Sequence, residues 1–267
     1  MADTANAPIA MITGGSSGIG LELAREFASH GYALLLCADK ADKLAATAKS
    51  LGATGSLGVE TVAADLSTTA GVEALYAAAK RCGPVDVLVV NAGIGTYGDF
   101  ATETSLDEEL QAVALNITSL VHLTKLVARD MVERGSGKIL LTSSIMAFMP
   151  DPFQTVYAAS KAFSYVFAEG LREALRDRNV SVTVLAPGFT DTSFFRKSGA
   201  SRSRAVQGLL MRQGKPATVA AAAYRALERG DDHVIPGLVN QFFAGASRLL
   251  PDPIITRIVR KMLEPVP

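Results

Sequence analysis

Short apolar runs alternate with longer helical patterns along nearly the whole chain of 267 residues. Each run has the length of one strand, and the segments between runs have the spacing of amphipathic helices. This alternation is typical of βαβ units, in which helices cover both faces of a parallel sheet. The predicted strands lie near residues 8–13, 32–38, 58–63, 85–90, 137–143, 180–186 and 232–236, and the predicted helices near residues 18–30, 40–51, 68–81, 105–134, 157–178 and 216–229. We therefore predict an α/β fold, a single Rossmann-type domain over residues 1–267 with a doubly wound parallel sheet of about seven strands.

The composition excludes several classes of protein. The 26 basic and 26 acidic residues give a formal charge of zero, whereas nucleic-acid binding requires a basic surplus. Two cysteines, Cys37 and Cys82, are too few for a disulfide framework, and we expect both to be buried. The N-terminus lacks the features of a signal peptide, and no uninterrupted apolar segment reaches the ~18 residues of a membrane span. We expect a cytoplasmic protein that binds no metal and no nucleic acid.

A glycine-rich turn, Thr-Gly-Gly-Ser-Ser-Gly-Ile-Gly at residues 13–20, follows the first predicted strand and opens an amphipathic helix. Glycine permits positive φ and lets backbone amides approach a phosphate closely. The start of the helix also favours negative charge. The turn therefore predicts a binding site for the pyrophosphate of a dinucleotide, although an ordinary glycine-rich turn is the alternative. The residues assigned to it are Gly14, Ser16, Ser17, Gly18, Ile19 and Gly20.

The second predicted strand ends at Asp39, which indicates how the adenosine ribose is bound. An acidic residue about 20 positions beyond the glycines can accept hydrogen bonds from the ribose hydroxyls. The same carboxylate would repel a 2′-phosphate, so NAD is the preferred cofactor. The neighbouring Lys40 could attract that phosphate, which leaves NADP possible. Asp39 could instead cap the next helix.

Polar and small residues also follow the third and fourth predicted strands. Asp65, followed by Leu66, is placed to accept from an adenine amino group, or else to cap a helix. Asn91, Ala92 and Gly93 come after the fourth strand. Their small size would let a cofactor lie against the backbone, and Asn91 could join neighbouring strands.

Tyr157 and Lys161 are four residues apart on a predicted helix and should share a face, towards which Ser144 at a strand end could point. A free phenol has a pKa near ~10, and a neighbouring cation would lower it towards the range useful for general acid–base catalysis. The Tyr-x-x-x-Lys pattern also occurs by chance on many helices. Asn116, inside an apolar helix, needs a partner, and it could kink the helix around a water or bond a neighbouring loop.

Together these residues resemble the short-chain dehydrogenase/reductase family in its single-domain form, over residues 8 to about 236. The resemblance rests on the turn at 13–20, Asn91-Ala92-Gly93, Asn116, Ser144, Tyr157-Ala158-Ala159-Ser160-Lys161, and Pro187-Gly188 followed by Thr192. Ser144 precedes Tyr157 by thirteen positions, a spacing usual in that family. The resemblance implies an oxidoreductase that transfers a hydride between NAD(P) and a carbonyl or secondary alcohol.

The resemblance also implies a role for each catalytic residue. Tyr157 would be the general acid/base, and Lys161 would lower its pKa and hold the nicotinamide ribose. Ser144 would orient and polarise the substrate oxygen. Asn116 would hold a water that connects Lys161 to solvent. The nicotinamide pocket would be formed by Pro187, Gly188, Thr190 and Thr192, with Thr192 at the carboxamide.

The segment 191–214 corresponds to the family's substrate lid. Its apolar residues would cover an apolar substrate, and they are Phe194, Phe195, Leu209, Leu210 and Met211. Its basic residues would form either a rim that attracts an acidic substrate or a solvated loop, and with the adjoining Lys215 they are Arg196, Lys197, Arg202, Arg204 and Arg212.

The tail, residues 237–267, has amphipathic helical spacing. Its basic residues are Arg248, Arg257, Arg260 and Lys261. We expect the tail to pack over the substrate cleft or against a partner subunit, with contact to a membrane surface as the alternative.

The family implies a homodimer or homotetramer that packs through the helices near 105–134 and 157–178. A dinucleotide-sensing or scaffold protein without turnover is the main alternative function. A nucleotide-sugar epimerase is a third, although it usually needs a larger C-terminal domain.

Overall fold

A computed structural model of the protein describes residues 7–53, 57–207, 214–247 and 249–266. Its single sheet contains the seven parallel strands β1 (Ile9–Thr13), β2 (Ala33–Ala38), β3 (Val59–Ala63), β4 (Val85–Val90), β5 (Gly137–Thr142), β6 (Val180–Leu185) and β7 (His233–Val234). Their spatial order is β3-β2-β1-β4-β5-β6-β7. The predicted Rossmann-type sheet is confirmed, and the strand order reverses direction between β1 and β4, where such folds bind ligands.

Helices cover both faces of the sheet. They are α1 (Gly18–Ser29), α2 (Ala41–Ala53), α3 (Thr69–Cys82), α4 (Leu106–Val113), α5 (Ser119–Arg134), α6 (Thr155–Leu175), α7 (Phe194–Lys197), α8 (Pro216–Arg229), α9 (Leu238–Ser247) and α10 (Asp252–Leu263). The strands are apolar on both sides because successive side chains point to opposite faces. Met11 and Leu88 pack with α3 and α5, whereas Ile12 and Val89 pack with α1 and α8.

The predicted helix over 105–134 is interrupted. A π-helical turn at Ala114–Thr118 separates α4 from α5, and Asn116 lies buried within it. By length and composition, Leu106–Arg134 is the one stretch of helix in the described ranges that could cross a membrane. Its α5 part buries Leu123 and Val127 in the core under the sheet. This packing is that of a core helix of an α/β fold.

The two cysteines differ in environment. Cys37 is buried in β2, and burial raises its thiol pKa to about 12. Cys82 is exposed, so the expectation that both cysteines are buried is wrong for Cys82. It is the last residue of α3, where the helix leaves the core. Neither thiol belongs to the cavity described below.

Candidate active site

Most of the predicted site residues line one cavity of about 700 Å³ at the carboxyl ends of the strands. They are Gly14, Ser16, Ser17, Gly18, Ile19, Asp39, Asp65, Leu66, Asn91, Ala92, Gly93, Ser144, Tyr157, Lys161, Pro187, Gly188, Thr190 and Thr192. Three predicted residues, Gly20, Lys40 and Asn116, stand outside its wall. Each of the three supports a residue that lines it.

The turn between β1 and α1 requires its glycines for geometric reasons. Gly14 and Gly18 have φ of 69° and 56°, in the left-handed region that favours glycine. A Cβ on Gly20 would lie 2.2 Å from the Gly14 carbonyl oxygen. A side chain at Gly18 would meet Thr192, which faces the turn from the other side of the cavity. This open cradle at a helix start fits the pyrophosphate of a dinucleotide.

Asn91 and Thr13 join the strands at the switch point. The Thr13 hydroxyl accepts from the backbone N–H groups of Asn91 and Ala92 at 2.9 and 3.0 Å. The Asn91 amide donates to the Thr13 carbonyl oxygen at 3.2 Å and accepts from the Thr142 hydroxyl at 3.4 Å. Asn91 therefore connects β1, β4 and β5, as predicted, and fixes the floor of the cavity.

At the adenosine end, Asp39 and Lys40 are exposed and paired. Lys40 Nζ lies 3.4 Å from Asp39 Oδ2. The Lys40 carbonyl oxygen accepts from Leu44 N, which makes Lys40, and not Asp39, the residue that caps α2. The alternative that Asp39 is a helix cap is wrong, and its carboxylate lines the cavity.

Asp65 also lines the cavity and makes a local turn. Its Oδ1 accepts from the backbone N–H and the hydroxyl of Ser67 at 2.9 and 2.7 Å. The cap of α3 is Thr68, whose hydroxyl accepts from Gly71 N at 3.0 Å. The helix-cap alternative for Asp65 is therefore wrong as well. Its contact with adenine stays a prediction.

Tyr157, Lys161 and Ser144 converge in the middle of the cavity. Lys161 Nζ lies 5.7 Å from the centre of the Tyr157 ring and donates to the Thr142 carbonyl oxygen at 2.9 Å. Ser144 follows β5 and hydrogen-bonds the Tyr157 hydroxyl. The adjacent Ser143 turns away and donates to the Lys161 carbonyl oxygen at 2.7 Å. The structure agrees with the choice of Ser144 that its spacing to Tyr157 implied.

Burial dominates the electrostatics of this group. Burial raises the pKa of Tyr157 to about 12, the hydrogen bond from Ser144 acts in the opposite direction, and the charge of Asp151 raises it further. Burial lowers the pKa of Lys161 to about 8. The prediction that Lys161 brings the Tyr157 pKa below its ordinary value is therefore wrong for this structure. The Lys161 ammonium is directed at a carbonyl oxygen and is itself destabilised by burial.

Asn116 lies behind the cavity wall. Its Oδ1 accepts from Ile94 N at 3.0 Å, and its Nδ2 donates to the Ile94 carbonyl oxygen at 2.8 Å and to Ser160 Oγ at 3.0 Å. A Cβ on Gly93 would lie 3.1 Å from Asn116 Oδ1 and 3.4 Å from Lys161 Nζ. Of the two sequence-based alternatives, the bonds to a neighbouring loop are observed. The proton relay through water stays a prediction.

The substrate side of the cavity is aromatic and is closed by the tail. The ring of Phe194, from the predicted lid, lies 5.1 Å from that of Tyr157. Leu263 of α10 lines the cavity, and the Tyr97 hydroxyl donates to its carbonyl oxygen. Ala205 N donates to the Met262 carbonyl oxygen at 2.9 Å, which ties the lid segment to α10. The expectation that the tail packs over the cleft is confirmed.

The basic residues of the lid differ in their contacts. Arg196 and Lys197 line the cavity. Arg202 lies over the Tyr97 ring at 5.8 Å, and Arg204 pairs with Glu264 at 3.5 Å. Among the described residues of the predicted basic rim, only Arg196 and Lys197 line the cavity, and Lys215 does not. Leu209, Leu210, Met211 and Arg212 of the lid and Arg248 of the tail lie outside the described residues.

Sequence reasoning missed several residues of the cavity wall. Tyr97, Gln154 and Leu263 line it without belonging to a recognised motif. Gly95 also lines it, and a Cβ there would lie 3.0 Å from Phe194 and 3.2 Å from Tyr157. The glycines after Asn91, at 93 and 95, were an available signal for a close approach. Nothing near Leu263 signals its place in the site, because that place depends on how α10 docks.

One group of possible metal ligands lies outside the cavity. Glu169, Asp232 and His233 bring their ligand atoms within 4.8 Å of one another. The guanidinium of Arg172 lies 3.5 Å from Glu169 and 3.8 Å from Asp232, so a cation already pairs with both carboxylates and offsets part of their charge.

Comparisons with known proteins agree with the site. The family model for short chain dehydrogenase matches residues 8–203. Over 191 residues the chain is 34% identical to "Dehydrogenase/reductase SDR family member 7B" from Bos taurus, and the match covers 69% of this chain and 58% of that protein. The chain thus spans less than two thirds of that relative's length.

Two solved structures share the whole fold. A short-chain dehydrogenase from Sphingobium yanoikuyae in complex with NADPH has a TM-score of 0.81 and 28% identity, covering 91% of this chain and 93% of that one. A short chain dehydrogenase/reductase from Burkholderia phymatum in complex with NAD has a TM-score of 0.80 and 25% identity, covering 98% of each chain. The chain belongs to the short-chain dehydrogenase/reductase family.

Proposed function

We propose that the chain is an NAD(P)-dependent oxidoreductase that acts on a carbonyl or secondary alcohol. The observation that carries this proposal is the convergence of Tyr157, Lys161 and Ser144 in the same cavity as the glycine turn. When bound, the nicotinamide supplies or accepts the hydride.

The residues of the chain manage the proton and the substrate oxygen. In reduction Tyr157 donates its hydroxyl proton to the carbonyl oxygen, and in oxidation it takes the proton of the alcohol. Ser144 hydrogen-bonds the same oxygen. Lys161 holds a positive charge beside the phenol, and its low pKa lets it pass a proton on near neutral pH. Asn116 holds the Gly93–Gly95 segment against this group.

Replacing Tyr157 by Phe tests the proposal. Loss of general acid–base catalysis should lower kcat by roughly 10²- to 10⁴-fold while cofactor binding is retained. Oxidation of NADH or NADPH with a panel of ketones measures turnover, and fluorescence titration measures cofactor binding. Tyr76→Phe, which removes a hydroxyl bonded to Asp130 far from the cavity, is the matched control. Cofactor binding without turnover by the wild type would favour the sensor.

NAD is the proposed cofactor because the Asp39 carboxylate lines the cavity beyond β2 and would repel a 2′-phosphate. Lys40 weakens this repulsion, since its ammonium lies 3.4 Å from Asp39. Asp39→Ala should weaken NADH binding and strengthen NADPH binding. Lys40→Ala should weaken NADPH binding. A wild type that binds NADPH more tightly than NADH would contradict the assignment.

The proposed substrate is a small molecule, an apolar ketone or secondary alcohol. Phe189, Phe194, Met146 and Leu263 supply apolar walls next to Tyr157. If this is right, KM should fall as the alkyl or aryl groups of a ketone grow, until the cavity is filled. A preference for charged substrates would instead point to Arg196 and Lys197.

A homodimer or homotetramer in the cytoplasm completes the proposal. The outer faces of α4, α5 and α6 expose a set of large apolar side chains that a second copy would cover. They are Leu106, Leu110, Val121, Phe163 and Val166.

A further inference from the structure

Eight of the fourteen exposed large apolar side chains in the described ranges belong to the tail. Seven of these eight lie on α9, on α10 and in the turn between them, and we call these seven the C-terminal apolar face. They are Leu238, Val239, Phe242, Leu249, Leu250, Ile254 and Ile258. Leu249 is 87% exposed, Leu238 82% and Phe242 71%. Exposed apolar side chains concentrated in one segment mark an interaction site more often than singly scattered ones do.

Helix α9 contributes three exposed apolar side chains, Leu238, Val239 and Phe242, to this surface. Its sequence, Leu-Val-Asn-Gln-Phe-Phe-Ala-Gly-Ala-Ser, contains no charged residue. The small Ala244 is buried, and Asn240 packs against Gly188, where a Cβ would lie 2.3 Å from its side chain. Phe243 packs inwards against the buried cluster around Tyr157, whereas Phe242 on the outer side is exposed. A surface helix of a water-soluble protein normally presents charged or polar residues on its outer side.

Helix α10 adds positive charge beside the same face. Ile255, Val259 and Leu263 are buried towards the cavity. Ile254 and Ile258 are exposed, and the exposed Arg257 and Lys261 lie three residues beyond each of them. Arg257 and Lys261 form no ion pair with any residue that the structure describes. Residues 237–267 contain four basic and two acidic residues, whereas the whole chain has a formal charge of zero.

We propose that the C-terminal apolar face docks on the surface of an anionic lipid bilayer. Protruding apolar side chains next to Lys and Arg are the composition that lies at the boundary of headgroups and acyl chains. A second copy fits less well, because a two-fold contact would place this basic surface against itself. Leu263 of α10 lines the cavity, so docking would hold the substrate side of the cleft next to the lipid. The inference stands independently of the reaction proposed above.

Co-sedimentation with vesicles tests the proposal. The full chain is mixed with vesicles of phosphatidylcholine alone, or of phosphatidylcholine with phosphatidylglycerol. We expect the wild type to pellet with the mixed vesicles, and less so at high salt because the charges are screened. Leu238→Ser with Leu249→Ser should lower partitioning at least about tenfold, because two fully exposed leucines no longer insert. Arg257→Gln with Lys261→Gln should remove the preference for the anionic vesicles.

The matched control is Phe100→Ser, which removes a 56% exposed phenylalanine that lies outside the tail and outside α4, α5 and α6, and it should leave vesicle binding unchanged. Thermal unfolding checks that each variant is folded. Because the substituted residues are exposed, we expect the Tm of each variant to match that of the wild type. The proposal is overturned if the wild type does not bind mixed vesicles or if the double leucine variant binds like the wild type. It is equally overturned if that variant dissociates an oligomer while no form binds lipid, because a second copy then covers the face.

Discussion

The Lys161 ammonium is buried in the cavity wall, where a cation is unfavourable. Burial lowers its pKa from 10.5 to about 8. Between these values the unfolded chain binds a proton that the folded protein does not, so stability rises as pH increases through this range. The protonated lysine therefore destabilises the folded state at neutral pH, by about 3 kcal/mol at most. The cavity wall is thus less stable than an apolar one of the same shape.

Replacing Lys161 by Met should abolish this pH dependence. As the pH rises from about 7 to about 10, the free energy of unfolding of the wild type should rise relative to that of Lys161→Met. The prediction concerns this change with pH and not the difference at either pH. Urea unfolding at both pH values measures it. Lys125→Met removes an exposed lysine from α5 and serves as the control. An unchanged difference between wild type and Lys161→Met would show that burial does not lower the Lys161 pKa.

A second buried charge, Asp151, acts on Tyr157 from the loop before α6. Its Oδ1 accepts from Phe153 N and Gln154 N at 2.8 and 3.1 Å, and burial raises its pKa to about 6. Its negative charge contributes to the raised pKa of Tyr157. Asn in its place would keep the acceptor oxygen and remove the charge.

Asp151→Asn should therefore lower the pKa of Tyr157. In alcohol oxidation the phenolate is the active form, so the rise of kcat/KM with pH should move to lower pH, by less than about one pH unit. The pH profile of alcohol oxidation measures the shift. Asp177→Asn, at an exposed position after α6, should leave the profile in place. A shift to higher pH would contradict the argument.

Residues in local motifs were predictable, and residues placed by tertiary packing were not. Gly14, Gly18 and Tyr157 each sit in a short pattern whose local geometry already implies their place. The pKa of Tyr157 was predicted in the wrong direction, because sequence spacing shows a neighbouring cation but not the burial that outweighs it.

At the scale of elements, the strands and most helices were predicted to within a few residues from apolar spacing alone. The long helix was not predicted to change register, because the π turn at Ala114–Thr118 depends on the loop that Asn116 binds. For the tail, the sequence left three arrangements open: over the cleft, against a partner subunit, or on a membrane surface. Which side of an amphipathic helix meets the cavity depends on distant partners such as Tyr97.

The hydrogen bond from Tyr97 to Leu263 gives a test of the wall formed by α10. Tyr97→Phe should cost about 1 kcal/mol in stability. It should raise KM for bulky apolar ketones more than it lowers kcat, because α10 then holds the substrate side less firmly. Steady-state kinetics with short and bulky ketones measure the split. Tyr76→Phe loses a comparable bond to Asp130 and should leave KM unchanged.

For the whole molecule, the exposed apolar side chains of α4, α5 and α6 predict association of copies. Val166, 69% exposed on α6, is the natural place to interrupt it. Val166→Glu should dissociate the oligomer because two charges would be buried without partners. Light scattering after gel filtration measures the mass. Thr61→Glu, on the edge strand β3, adds the same charge elsewhere and should leave the mass unchanged.

The strand order separates the region proposed to distinguish NAD from NADP from the region proposed to contact the substrate. Asp39 and Lys40 follow β2, and Ser144 follows β5, with β1 and β4 between them. Three strand spacings amount to about 14 Å, so the two regions share no side-chain contact through the sheet. Mutations that exchange one cofactor for the other need not disturb the substrate walls, and the reverse also holds. In the proposed oxidoreductase, cofactor preference and substrate preference can therefore change in separate steps.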